Sequence, residues 1–71
     1  MSDEERRQEK ITRLQEMIAD TQANMREAEE TLAVHQNEMS EEDIADIEAK
    51  NERRERSIHG FRKEIKGEFI D

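Results

Sequence analysis

The chain contains no cysteine, proline, tryptophan or tyrosine. Without cysteine it has neither disulfide staples nor a thiolate zinc cage, so its stability has to come from packing. Missing thiols fit a reducing compartment without demanding one, because many secreted proteins also lack them. No stretch approaches the roughly 20 apolar residues of a membrane span. The opening Met1-Ser2-Asp3-Glu4-Glu5 has none of the basic and apolar regions of a signal peptide, and the chain reads as intracellular. There is no glycine-rich phosphate loop, no nucleophile with a matched base, and no isolated carboxylate pair in apolar surroundings that would move a pKa toward catalysis. The expectation is a protein that is not an enzyme, with no catalytic residue, no cofactor and no small-molecule substrate.

Charge is what the sequence has in excess. Twenty acidic against twelve basic residues give 71 residues a net charge of −8, and 45% of the chain is charged against 31% hydrophobic. That composition lies near the border below which burial cannot offset ordering entropy, so disorder competes with folding. The negative sign repels phosphate backbones and anionic lipid, which argues against nucleic-acid and membrane partners. Arg53, Arg54 and Arg56 are neutralised by interleaved Glu52 and Glu55 and have no aromatic platform beside them. His35 and His59 are the only histidines. His35 has Glu38 three residues on, but the residues expected to face it are apolar, so no metal site is expected. Glu41-Glu42-Asp43 reads as a solvated helix start, without the spaced oxygens and glycine of a calcium loop.

The apolar residues recur in alternating steps of three and four. One series is Ile11, Leu14, Ile18, Thr21, Met25, Ala28 and Leu32. A second is Ile44, Ile47, Asn51, Arg54, Ile58, Phe61 and Ile65. Each is the seam of a helix. Between them Ser40 is placed to cap a new helix, with Asp43 three residues on, while Met39 and Ile44 flank the cap as a hydrophobic staple. Ser2 and Glu5 form a weaker capping box at the first helix. The pattern predicts an all-α, coiled-coil-like antiparallel hairpin in a single domain: a helix over about 3–36, a turn at about 37–40 and a helix over about 41–67. Acidic residues at both starts, and Arg62, Lys63 and Lys66 near the end, suit the helix dipoles.

Antiparallel neighbours meet in pairs whose numbers sum to a constant, and 79 matches Leu32 with Ile47, Thr21 with Ile58, Ile18 with Phe61 and Leu14 with Ile65. The same sum puts Asn51 against Ala28 and Arg54 against Met25. This polar layer reads first as a register-fixing device, with the arginine stem on Met25 and Ala28 and its head toward water or Glu29; a partner-binding role is the alternative. Gly60 inside the second helix suggests a close backbone approach or a slight bend. Pairs at helical spacing, Glu9 with Arg13, Asp46 with Lys50 and Glu52 with Arg56, each add about 0.2–0.5 kcal/mol. A lone hairpin of this kind is marginal, so the expected state is a homodimer, as a four-helix bundle with Met17 and Val34 as extra contacts, or a loosely ordered monomer. A different helical protein is the other candidate partner.

Four blocks of the sequence are distinctive as an ordered set: Leu14-Gln15-Glu16-Met17-Ile18, Glu27-Ala28-Glu29-Glu30-Thr31-Leu32, Lys50-Asn51-Glu52-Arg53-Arg54-Glu55, and Ser57-Ile58 with Phe61-Arg62-Lys63-Glu64-Ile65-Lys66. Over roughly residues 10 to 68 they resemble the small acid-soluble spore protein Tlp family of endospore-forming bacteria. The resemblance implies a protein of the spore core with no established biochemical activity. The family's other label, thioredoxin-like, cannot describe redox exchange here, since that needs a Cys-x-x-Cys pair. DNA protection belongs to the major DNA-coating spore proteins, whose motifs are absent. The stretch from Ala33 to Ala49, containing His35 and Met39, is longer than the family pattern by about one helical turn. The function expected is noncatalytic, through packing or self-association of the seam, with Ile18, Met25, Leu32, Ile47, Ile58 and Phe61 central. A disordered storage or protectant protein, or a module binding nucleic acid or a basic protein, is the competing expectation.

Overall fold

A computed structural model describes residues 2–69. Two helices, α1 over Asp3–His35 and α2 over Glu41–Glu68, are joined by one 3₁₀ turn at Gln36–Glu38. They pack side by side as a hairpin, with no strand among the described residues. The rod measures 54 × 16 × 13 Å. The stretch from Ala33 to Ala49 is taken up by the end of α1, the turn and the start of α2, not by an enlarged loop.

Both helices begin on a serine. Ser2 Oγ accepts the Glu5 N–H at 3.2 Å, and Ser40 Oγ accepts the Asp43 N–H at 3.1 Å, each satisfying one of the orphan amides of a first turn. Only this half of the box forms at either serine among the described residues. Three acidic residues occupy the first turn of each helix, where the dipole favours them. Met39 and Ile44 are both half-buried on either side of the Ser40 cap.

Burial is deepest along the two seams. Ile11, Leu14 and Ile58 are the buried residues among those described, at 5%, 3% and 6% exposure. Ile18, Met25, Leu32, Ile44, Ile47, Phe61 and Ile65 are half-buried, and Phe69, beyond the end of α2, is exposed. The reason is geometric: two cylinders in contact leave a groove open along each side of their line of contact.

Of the two readings of Gly60, the close backbone approach is not found. A Cβ built there meets nothing within 4 Å, so no backbone approaches it, and its φ is not positive. Since glycine costs a helix interior roughly 0.5–1 kcal/mol relative to alanine, Gly60→Ala should stabilise the fold by about that amount. A thermal melt should move up by a few degrees, on the order of 4 °C; an unchanged or lowered midpoint would show that something outside the hairpin occupies that position.

Candidate functional site

The seam is where the chemistry-bearing side chains of α1 and α2 meet, and its middle is polar. Asn51 is half-buried, and its Nδ2 donates to the Met25 carbonyl oxygen at 3.2 Å. Its Oδ1 accepts from Arg54 Nη1 at 2.9 Å. Asparagine suits this position because it carries donors and an acceptor on one short planar head. The acceptor it chose is one helical turn from the Ala28 contact expected from the sum of 79. Arg54 turns to Asn51, not to Glu29, because the two lie on opposite sides of the hairpin. One groove is lined by Asn24, Glu27, Ala28, Thr31, Ile47, Lys50 and Arg54. The other holds Glu29 with Gln22, Met25, Arg26, Glu55, Ile58, His59 and Arg62.

The apolar parts flank this layer unequally. Toward the chain ends, Ile11 and Leu14 are buried opposite the last turns of α2. Toward the turn, Leu32, Ile44 and Ile47 keep partial exposure. Met17 and Val34 reach water at 40% and 72% exposure.

The chain ends carry a feature that the apolar periodicity did not reveal. Lys10 Nζ lies 2.8 Å from Glu68 Oε1, and Arg7 Nε lies 3.9 Å from Glu68 Oε2. The hydrogen bond from Lys10 is the main force holding the Glu68 carboxyl below its ordinary range, opposed by partial desolvation and assisted by the charges of Lys10 and Arg7. The same bond, then the Glu68 charge, raises the Lys10 ammonium. The signal was present in the register itself, since 10 and 68 sum close to 79. By contrast, Glu9–Arg13, Asp46–Lys50 and Glu52–Arg56 close no ion pair among the described residues; on a solvated face the entropy of holding two long side chains offsets the attraction.

His35 Nδ1 sits 3.5 Å from Glu38 Oε2 with both side chains exposed. No group of three or more His, Asp or Glu side chains assembles into a metal-ligating cluster among the described residues. No described helix is long and apolar enough to cross a membrane. Ser40 and Asp43 are engaged in capping. What the arrangement offers is a helical surface: an apolar seam with a hydrogen-bonded polar layer at its middle, two open grooves and a charged exterior.

A coiled-coil-like helical hairpin with a packing seam is therefore the class that the fold and site define. The model of the family described as "Small, acid-soluble spore protein Tlp" matches residues 2–71, and the chain belongs to that family. A Tlp homolog of Desulforamulus reducens is 44% identical over 71 residues, covering all of this chain and 97% of the relative. A Tlp homolog of Caldanaerobacter subterraneus subsp. tengcongensis is 45% identical over 65 residues, 92% of this chain and 77% of the relative. The small, acid-soluble spore protein Tlp of Bacillus cereus is 41% identical over 68 residues, 96% of this chain and 98% of the relative. No solved structure matches.

The Glu68 clamp has a definite pH signature. A depressed carboxyl pKa stabilises the fold above the unfolded value and loses that contribution as pH falls through the folded value; the raised Lys10 contributes below its unfolded value and is lost as pH rises past the folded one. The clamp therefore holds across neutral pH. The difference in thermal midpoint between the wild type and Glu68→Gln should shrink as pH is taken below the carboxylate range. A difference that stays constant into strong acid would contradict the assignment.

Proposed function

We propose that this chain is a noncatalytic structural protein of the spore core that acts through its seam, by self-association into a four-helix bundle. The observation that carries this reading is the incomplete burial of the seam: seven of its large apolar residues stay half-buried when the hairpin closes, and only three are buried. A second helical layer would cover what the first pair leaves open, and small helical folds commonly depend on such a layer. Membership of a spore protein family supports the spore location.

The competing role, a disordered storage or protectant protein valued for composition, is favoured by charge density but not by the local signals. Two serine caps, an asparagine bonded across the hairpin and a three-four seam agree with one another, and a purely compositional role needs none of them.

Ile58→Asp and Phe61→Asp should each abolish association or unfold the hairpin. A charge at the buried Ile58 should cost at least about 3 kcal/mol, and the cost should be smaller at half-buried Phe61. Sedimentation equilibrium with circular dichroism reads both effects. Unchanged mass and unchanged helicity in both variants would sink the proposal, and so would a wild type that is monomeric and weakly helical.

A further inference from the structure

One of the two grooves is sorted by charge along its length. Over a floor of Met25 and Ile58, its walls are Gln22, Arg26 and Glu29 from α1 and Glu55, His59 and Arg62 from α2. Each wall residue follows a seam residue by one position, so helical phase extends both walls along the rod. The α2 wall runs Glu48, Glu52, Glu55 from the turn and then changes to His59, Arg62, Lys66 toward the chain ends. The α1 wall holds Gln15, Ala19, Gln22 and Arg26 before its first carboxylate, Glu29. The chain-end half of the groove is therefore basic on one wall, neutral or basic on the other. Arg26, Arg62 and Lys66 close no ion pair among the described residues, whereas Lys10 on the opposite flank reaches Glu68. The acidic excess of the chain lies elsewhere: residues 27–49 carry nine carboxylates and no lysine or arginine, and the remainder holds eleven acidic and twelve basic residues.

We propose that the chain-end half of this groove binds a small multivalent oxyanion of the phosphate class, held between Arg26 of α1 and Arg62 of α2 with Lys66 beside them. The site is complete within one chain and does not depend on self-association. Residues flanking the seam of paired helices ordinarily set a cation across from a carboxylate, and here Arg26 shares the groove with two basic side chains of the other helix. An oxyanion between them supplies the missing charge. A guanidinium offers two parallel N–H donors to two oxygens of one phosphate, and the Gln22 amide adds a further donor. The groove encloses about 550 Å³, within the roughly 300–1,000 Å³ of small-molecule sites, and its polar walls select a charged ligand over an apolar one. Glu29 and Glu55 stand at its turnward end. Their charges repel any anion that continues along the groove, so a short ligand fits and a nucleic-acid strand does not. By touching both helices the bound anion ties α1 to α2 and stabilises the folded hairpin.

Inorganic pyrophosphate, titrated into the full chain and followed by amide and side-chain NMR against sodium chloride of equal ionic strength, tests the site. The expected result is saturable shifts centred on Gln22, Arg26, His59, Arg62 and Lys66, with a thermal midpoint that rises with pyrophosphate beyond the effect of chloride. Arg26 and Arg62 are exposed, so Arg26→Gln and Arg62→Gln leave the helices standing, which circular dichroism verifies, and each should weaken binding about fivefold. Arg53→Gln, the same loss of charge on the far side of α2, should leave binding unchanged. An equal loss in all three variants would show attraction to the chain's charge in general and overturn the site. Shifts that chloride reproduces, or that never saturate, would overturn it as well. A single-stranded oligonucleotide that shifts the same residues and binds more tightly than pyrophosphate would overturn the assignment to a small anion.

Discussion

Two helices in contact cover only one side of each other, and every other property of this molecule answers to that limit. A seam residue on a lone pair of helices has its partner helix in front and a groove on either flank, so most of the seam stops at partial burial. Ile11, Leu14 and Ile58 escape the limit among the described residues. The structure adds what can be added without a third helix: serine caps at both starts, a side-chain bond from Asn51 to the Met25 carbonyl, and a charge clamp from Lys10 to Glu68. Each is a modest contribution on its own, typically on the order of 1 kcal/mol for a cap or a hydrogen bond.

The charge pattern works within the hairpin. In α1, residues 16–30 hold five carboxylates and a single arginine, and in α2 the neighbouring residues 50–63 hold six basic residues and two glutamates. The two stretches lie alongside each other, so the middle of the hairpin is held by a diffuse attraction with few short ion pairs. The turn end has no such counterweight. A protein of this net charge stays soluble by repulsion, and concentrating the excess at one end lets it do so while the other faces remain close to neutral.

How far the sequence revealed this depends on the kind of signal. The helical hairpin was legible because the three-four period of Ile11 to Leu32 and of Ile44 to Ile65 needs no knowledge of neighbours. The Ser40 cap was legible for the same local reason. The polar layer was visible as a pair of misfits, Asn51 and Arg54, but the choice of the Met25 carbonyl over Ala28, and of Asn51 over Glu29, depends on helix rotation to within a fraction of a turn. The Lys10–Glu68 clamp escaped because charged residues were matched along each helix and not across the register. At Gly60 the close approach was not legible because a glycine announces room without saying whether anything uses it.

If folding and association are one process, the midpoint of thermal unfolding must depend on protein concentration, since a partner that binds only the folded chain stabilises it by mass action. Far-ultraviolet circular dichroism melts across a wide concentration series measure this directly. The account predicts high helicity, a sharp transition and a midpoint that climbs with concentration. A sharp transition at a fixed midpoint would mean that the hairpin stands alone with its seam uncovered, and weak helicity at all concentrations would mean that the seam does not order the chain.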